Sequence, residues 1–211
     1  MAERVRNPLF ARIYTRMMES EDPEQVEYRR EALSGLTGRV FELGAGTGAN
    51  FSHYPATVAR LVAAEPEPYL RERAAEAAAK APVDVEVVDA VADELPFEDA
   101  SFDAAVACLV LCTVPDQPRA LAELRRVVRP GGELRFYEHV HAHKQPLKGV
   151  FSFMDRTRLW PSISGGCHLT RETLQAVEQA GFAVEKSRRL HFSPSPVMPS
   201  IPHVLGIARR P

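Results

Sequence analysis

The chain has 211 residues, of which 45% are hydrophobic, and its formal net charge at pH 7 is −2. This length and apolar content are enough to bury one sizeable core, and the near-neutral charge argues against a protein built to bind nucleic acid or another polyanion. Three cysteines without CxxC spacing argue against a disulfide scaffold and indicate reduced thiols in the cytoplasm.

The N-terminal residues predict an amphipathic helix. Its apolar side chains are interrupted by Arg and Asn, so the segment lacks both the apolar core of a signal peptide and the ~18 apolar residues of a membrane span. We expect the helix to pack on the following domain, with a membrane surface as the alternative. Residues 1–38 are therefore assigned to an N-terminal helical cap. The apolar face consists of Phe10, Ile13, Tyr14, Met17 and Met18.

Strand and helix patterns alternate from residue 39 onward. Such alternation predicts a parallel sheet with helices on both faces. One helix is expected to end at Gly131-Gly132, and a later one to begin at Thr170 as N-cap and to end at Gly181. The predicted order is strand 39–43, strand 60–65, helix 69–80, strand 83–90, strand 102–108, helix 118–128, strand 133–140, helix 169–182, and two closing strands at 184–192 and 203–210.

The end of the chain departs from this alternation. The two closing strands have no helix between them, which predicts that one of them enters the sheet antiparallel. Residues 140–168 fit no single element, and a segment of that length in a compact domain indicates an inserted helix-and-loop unit. Residues 39–211 thus form one α/β domain with this insertion.

The stretch "ELGAGTGAN" places three glycines between the first strand and the next element. In open α/β sheets the ligand lies at the carboxyl ends of the strands, where Gly44, Gly46, Gly48 and, after the second strand, Glu65 would meet. A carboxylate there can accept hydrogen bonds from both ribose hydroxyls of a nucleotide. NAD is one such ligand, since Gly44, Gly46 and Ala49 also satisfy a loose GxGxxA pattern.

Three details favour S-adenosylmethionine (SAM) over NAD. The third glycine follows the second after one residue, which gives a broad turn suited to an amino acid lying along it. Glu42 places a carboxylate near the expected position of the methionine ammonium group. Asp89 and Ala90 end the third strand, where a carboxylate and a backbone N–H can meet the amino group and a ring nitrogen of adenine.

The segments "ELGAGTG", "AAEP", "VVDAVADELPFEDASFDAAV" and "ELRRVVRPGGELRFYEH" resemble the motif series of class I SAM-dependent methyltransferases, from about residue 39 to residue 139. The resemblance implies a Rossmann-like, seven-stranded, mostly parallel sheet whose last strand is antiparallel. It also implies that the glycine loop lines the methionine part, Glu65 the ribose, and residues 89–91 the adenine. The expected cofactor-binding residues are Tyr14, Glu42, Gly44, Ala45, Gly46, Gly48, Asn50, Glu65, Pro66, Asp89, Ala90, Val91, Cys108 and Leu109.

A narrower likeness concerns the acceptor. "GTGANFSHYP", "LVLCTVPD", "YEHV" and "GGCHLTRETLQAVEQAGF" resemble methyltransferase-like proteins of the mammalian microsomal alkyl-thiol methyltransferase type. Those relatives carry a hydrophobic N-terminal membrane anchor, whereas the N-terminal residues here do not resemble one. The resemblance implies a thiol acceptor, and we expect no stable membrane insertion of this chain.

The chemistry of thiol methylation requires a thiolate next to the methyl group, and a base would help to form it. His139 follows the fifth strand and is the first candidate, ahead of His168 and Tyr14. His139 also alternates with His141 and His143, but without an evident carboxylate or cysteine partner a solvated loop is expected and no metal site. Cys112 and Cys167 are expected to be packing residues, and Trp160 could line an apolar acceptor wall.

The sequence therefore predicts an enzyme that transfers a methyl group from SAM to a small molecule, with a thiol as the first acceptor. Hydroxyl or amine acceptors, including phosphatidylethanolamine, remain alternatives, as do a non-catalytic SAM-binding protein and a nicotinamide enzyme. No nucleic-acid partner is expected, and the oligomeric state is open between monomer and dimer.

Overall fold

The computed structural model describes residues 7–142, 145–193 and 200–211. These residues form one seven-stranded sheet. Its strands are β1 (Gly38–Leu43), β2 (Val58–Ala64), β3 (Val85–Val88), β4 (Phe102–Cys108), β5 (Val128–His139), β6 (Ala183–Phe192) and β7 (Ile201–Arg209). They lie in the order β3-β2-β1-β4-β5-β7-β6. Strands β1 to β5 pair in parallel, and β7 is antiparallel to both β5 and β6, which confirms the predicted fold class.

Three of the helices begin where a polar residue precedes a proline. Asn7, Asp22 and Glu67 each accept a hydrogen bond from a backbone N–H of the first turn, and each is followed by Pro at the first helical position. The helices are α1 (Pro8–Met18), α2 (Pro23–Leu33), α3 (Pro68–Ala78), α4 (Gln117–Val127), α5 (Leu147–Arg156), α6 (Leu159–Ile163) and α7 (Thr173–Gln179). Two of them, α5 and α6, lie in the 140–168 segment predicted as an insertion.

Successive side chains along each strand face opposite sides of the sheet. On β1, Phe41 packs into a core that also contains Leu121 of α4 and Val177 of α7. Val40 packs into a second core with Leu33 of α2 and Ala74 of α3. Helices thus cover both faces of the sheet, as predicted for alternating β and α elements.

The predicted end of α4 at Gly131-Gly132 is wrong. The helix ends at Val127, and Val128 is already extended, so both glycines lie inside β5. A Cβ atom at Gly132 would lie 2.6 Å from the carbonyl oxygen of Asp103. The glycine therefore allows β5 to approach the start of β4 closely.

The predicted N-cap at Thr170 is also wrong, because α7 begins at Thr173 and Glu172 occupies the N-cap position. The N–H and the hydroxyl of Thr170 instead donate to Asp155 Oδ2 at 2.9 and 2.6 Å. Thr170 thus anchors the segment before α7 to helix α5.

Helix α1 packs on the domain with only part of its predicted apolar face. Phe10, Tyr14 and Met18 face the protein, whereas Ile13 is 51% exposed and Met17 63% exposed. Among the described residues, no helix has the length and apolar character needed to cross a membrane.

Candidate active site

A cavity of about 620 Å³ lies at the carboxyl ends of the parallel strands, within the range of small-molecule sites. Helix α1 and the region around α6 form its other walls. Ten of the sequence-predicted site residues line it: Tyr14, Gly44, Gly46, Glu65, Pro66, Ala90, Val91, Cys108, Leu109 and His139. Five others lie off this wall, namely Glu42, Ala45, Gly48, Asn50 and Asp89.

The glycine loop brings backbone directly to the cavity. Gly44 and Gly46 have φ angles of +67° and +58°, in the left-handed region that disfavours other residues. A Cβ atom at Gly44 would lie 2.2 Å from a methyl group of Val110, and one at Gly46 would lie 3.2 Å from the ring of Tyr14. Glycine at both positions therefore allows the required turn and leaves room for the side chains of Val110 and Tyr14 at the cavity wall.

Glu65 joins the end of β2 to this loop. Its carboxylate accepts hydrogen bonds from the Gly46 N–H at 2.8 Å and from the Glu67 N–H at 2.9 Å. Burial raises the pKa of Glu65 to about 7, although both hydrogen bonds favour the ionised form. The carboxylate lines the cavity and can accept further hydrogen bonds from ligand hydroxyl groups.

Glu42 lies in a buried polar network behind the loop. Its two oxygens accept hydrogen bonds from Asn50 Nδ2 at 2.9 Å and from the Tyr54 hydroxyl at 2.7 Å, and Asn50 in turn accepts from Arg29 at 3.0 Å. Burial raises the pKa of Glu42 to about 7. Arg29 also forms an ion pair with Glu21 at 2.6 Å, and both residues line the cavity. The network therefore ends at the cavity wall in this ion pair.

The end of the cavity near β3 is formed by Ala90 and Val91. The Asp89 side chain lies beside this wall, where it is 37% exposed and 3.4 Å from Arg71 Nη2. The next strand end contributes Cys108 and Leu109, and Leu109 has a left-handed φ of +57°.

Glu138 is a structural residue that the sequence analysis did not identify. Its fully buried carboxylate accepts the backbone N–H groups of Val110 at 3.0 Å, Leu111 at 2.8 Å and Cys112 at 3.2 Å. Burial holds the pKa of Glu138 well above its usual range. The side chain of one strand thus fixes the loop that leaves the neighbouring strand and lines the cavity.

His139 lies at the cavity wall between two cysteines. Its Nδ1 atom is 3.2 Å from Cys167 Sγ and 3.9 Å from Cys112 Sγ, and all three side chains line the cavity. The ring of His203 packs edge-on at 4.4 Å and restricts rotation of the His139 ring. Cys112 and Cys167 are buried free thiols, as expected for packing residues, but their contact with His139 was not predicted.

The predicted solvated loop of alternating histidines is wrong for His141. Its side chain is only 16% exposed, and its Nδ1 atom lies 3.2 Å from Glu172 Oε1. His143 lies outside the described residues. Of the weaker candidates for a base, Tyr14 lines the cavity whereas His168 is not among its lining residues. Trp160 lines the cavity, where the sequence suggested that it could form part of an acceptor wall.

The cavity walls fit SAM in chemistry as well as in size. A glycine loop and a buried carboxylate on adjoining strand ends can receive the polar groups of an adenosyl amino acid. Leu43, Pro66, Leu70 and Val91 supply apolar surface beside them. When bound, SAM supplies an electrophilic methyl group on a sulfonium centre.

Comparison with known proteins agrees with this geometry. The Methyltransferase domain family matches residues 41–136. Mouse thiol S-methyltransferase TMT1B is 35% identical over 95% of this chain and 82% of its own length. A phosphatidylethanolamine N-methyltransferase from Cereibacter sphaeroides is 34% identical over 62% of this chain and 64% of its own length.

Among solved structures, a SAM-dependent methyltransferase from Thermotoga maritima has the same fold, with a TM-score of 0.66 at 22% identity over 96% of this chain and 97% of its own. The protein is an enzyme, and its methyl donor is SAM. The chain belongs to the class I SAM-dependent methyltransferases, in the family that includes thiol S-methyltransferase TMT1B.

Proposed function

We propose that the protein transfers the methyl group of SAM to the sulfur of a small-molecule thiol. The observation that carries this proposal is the continuous cavity, which has the glycine loop and Glu65 on one side and His139, flanked by two cysteines, on another. The 35% identity to a thiol S-methyltransferase over most of both chains supports the choice of acceptor.

For the cofactor, we propose that Glu65 accepts hydrogen bonds from the ribose hydroxyls and that Ala90 and Val91, with Asp89 beside them, surround the adenine. The methionine part would lie along Gly44 and Gly46, near the backbone of Cys108 and Leu109. Both Glu42 oxygens already accept hydrogen bonds. Glu42 would therefore stabilise the ammonium group of the methionine part indirectly, through its hydrogen bond with Asn50. Residues 7–38 would form a cap on this site, because the Tyr14 ring of α1 lies 3.2 Å from the position that a Cβ atom of Gly46 would take.

The reaction requires little from the protein beyond alignment. Methyl transfer is an in-line displacement, and holding the nucleophile against the methyl carbon lowers the barrier by restricting both partners. The thiolate is the reactive form of the acceptor, so a group that promotes loss of the thiol proton accelerates the reaction. We assign this role to His139, the imidazole at the cavity wall.

Methyl transfer from methyl-labelled SAM to a panel of thiols, phenols, amines and phosphatidylethanolamine tests the proposed function. We expect selective labelling of thiols, and a fall in kcat of roughly 100-fold in His139→Gln, as for loss of a group that assists proton transfer. His191→Gln is the matched control, because His191 is exposed on β6. Labelling of another acceptor class with no thiol product would refute the thiol assignment.

Phosphatidylethanolamine is the second candidate acceptor, and a surface feature favours it. Large exposed apolar side chains among the described residues lie on α1 and α6, which border the cavity, and on α5, which contacts α6: Leu9, Ile13, Met17, Val150, Phe153, Leu159 and Ile163. Such a surface could contact lipid. Co-sedimentation with phosphatidylethanolamine vesicles, together with labelling of that lipid, would support this alternative over the small thiol.

Free buried cysteines at the cavity suit a reducing compartment, and we propose the cytoplasm.

The pH dependence of SAM binding tests the role of Glu65. Hydroxyl donors on the ligand favour the carboxylate, and the pKa of Glu65 in the free protein is about 7 because of burial. Affinity should therefore be fully present above pH 7 and fall by up to about tenfold per pH unit below it. Glu65→Gln should bind more weakly at pH 8 and lose this component. Titration calorimetry that gave equal slopes for both proteins would contradict the assignment.

Asp89→Ala tests the proposed adenine end. Loss of a charged hydrogen-bond acceptor should weaken SAM binding by ~1–3 kcal/mol. Asp84→Ala is the control, because Asp84 is 71% exposed near the start of β3 and pairs only loosely with Arg60, at 3.9 Å. An unchanged dissociation constant for Asp89→Ala would place the adenine elsewhere.

A further inference from the structure

The contact of His139 with two cysteines forms a compact set of soft ligand atoms. Cys112 Sγ, His139 Nδ1 and Cys167 Sγ all lie within 4.8 Å of one another. A tetrahedral zinc ion with bonds of ~2.3 Å to sulfur and ~2.0–2.1 Å to nitrogen places neighbouring ligand atoms roughly 3.5–3.8 Å apart. The distances of 3.2 and 3.9 Å from Nδ1 to the two sulfurs bracket that spacing.

The backbone holds the two sulfurs in this position. The His168 N–H, next to Cys167, donates to the carbonyl oxygen of Cys112 at 2.8 Å, so the two cysteine-bearing segments are joined directly. The N–H of Cys112 is held by Glu138 at 3.2 Å. Neither sulfur therefore needs a large backbone movement to reach a shared ion.

The contact with Cys167 and burial both raise the pKa of the Cys112 thiol well above its usual range, so a cation has to displace the thiol proton. One neighbouring group favours the thiolate forms that a metal requires. Arg171 donates hydrogen bonds to the carbonyl oxygens of Leu111 and Val114, on either side of Cys112, which places a positive charge beside this cluster. Thiolates are stabilised by a neighbouring arginine. Two thiolates and one imidazole form a set that selects zinc-like ions, and together with a divalent cation they carry no net charge.

We propose that Cys112, His139 and Cys167 bind one zinc-like divalent cation whose fourth position opens to the cavity and receives the sulfur of the thiol acceptor. Three protein ligands with one open position are the arrangement of catalytic zinc sites. The identity of the acceptor rests on the proposed function, whereas the cation site does not. His139 then assists thiolate formation as a metal ligand and not as a general base.

The reaction balances without a further reagent. Binding of the acceptor to the cation breaks its S–H bond, and the proton passes to water or buffer. A lone pair of the bound sulfur forms the new bond to the methyl carbon, while the bond from that carbon to the sulfonium centre breaks and leaves its electron pair on the departing sulfur. The thioether product is neutral, which makes it a weak ligand that can leave the cation.

Cobalt(II) is a suitable probe, because thiolate ligands give it a charge-transfer absorption band and a tetrahedral site gives intense visible bands. The full-length protein, stripped with a chelator and titrated with cobalt under reducing conditions, should bind one ion per chain with both features. Cys167→Ser should lose the charge-transfer band and most of the affinity. Cys108→Ser is the control for metal content, because Cys108 is buried at the same cavity but lies outside the three-residue cluster.

A second titration adds a small thiol to the cobalt-loaded protein. Entry of a third thiolate should strengthen the charge-transfer band, whereas a phenol of similar size should leave it unchanged. Cobalt binding that survives in Cys167→Ser, or a reduced wild-type protein that binds no cobalt, would overturn the cation site. Thiol methylation by a protein that binds no cobalt would overturn the cation site alone, and cobalt binding without thiol methylation would overturn the proposed function alone.

Discussion

Glu138→Ala is expected to lower the melting temperature by on the order of 10 °C and to reduce methyl transfer strongly. The substitution leaves the N–H groups of Val110, Leu111 and Cys112 without their shared acceptor in a buried site. Each unsatisfied buried group costs ~1–3 kcal/mol, and 1 kcal/mol corresponds to ~2–4 °C in a chain of this size. Activity should fall as well, because Cys108, Leu109, Val110 and Cys112 line the cavity.

A graded series separates this effect from simple loss of charge. Glu138→Gln keeps an oxygen that can accept from Val110 and Leu111, but its amide turns a donor toward the Cys112 N–H, so about one of the three bonds is lost. Arg129→Ala is the control on the same strand, because Arg129 is 53% exposed and its ion pair with Asp103 is worth little. Scanning calorimetry that showed the same melting temperature for Glu138→Ala and Arg129→Ala would contradict the proposed role of Glu138.

The sequence was sufficient for the fold because the relevant patterns are local. The glycine loop, Glu65 and residues 89–91 each follow a strand directly, so assigning the strands was enough to bring them to one edge of the sheet. One of the two closing strands could be predicted as antiparallel because no helix separates them, and the family resemblance implied that it is the last one, β7. The position of residues at strand ends thus needs only the order of elements.

The roles of Glu138 and the two cysteines could not be predicted, because their contacts join distant parts of the chain. Glu138 accepts hydrogen bonds from backbone N–H groups 26 to 28 residues earlier in the chain. Every residue except proline has such an N–H group, so no residue type in the sequence indicates the contact. His139 lies 27 residues from Cys112 and 28 from Cys167, and only the pairing of β4 with β5 and the path of the α5–α6 segment bring them together. Thr170 was misassigned for the same reason, since its partner Asp155 lies on α5.

Gly46→Val is expected to abolish measurable SAM binding while the protein still folds. Gly46 combines a left-handed φ of +58° with a position on the cavity wall. The first property costs ~1–2 kcal/mol of stability for a residue with a Cβ atom. Because Gly46 lies on the cavity wall, the branched side chain of Val would lie against the Tyr14 ring, which is 3.2 Å from the Cβ position. It would also occupy the space proposed for the methionine part.

Gly35→Val separates these two costs. Gly35 also has a left-handed φ, +76°, but a Cβ atom there would meet nothing within 4 Å, so only the backbone strain is introduced. Gly46→Val should therefore lose at least as much stability as Gly35→Val, whereas only Gly46→Val should lose SAM affinity, by ~100-fold or more if the clash exceeds about 3 kcal/mol. Calorimetric titration with SAM measures this difference directly. Equal affinity of the two variants would show that the methionine part does not lie along Gly46, because the strain alone cannot distinguish the two sites.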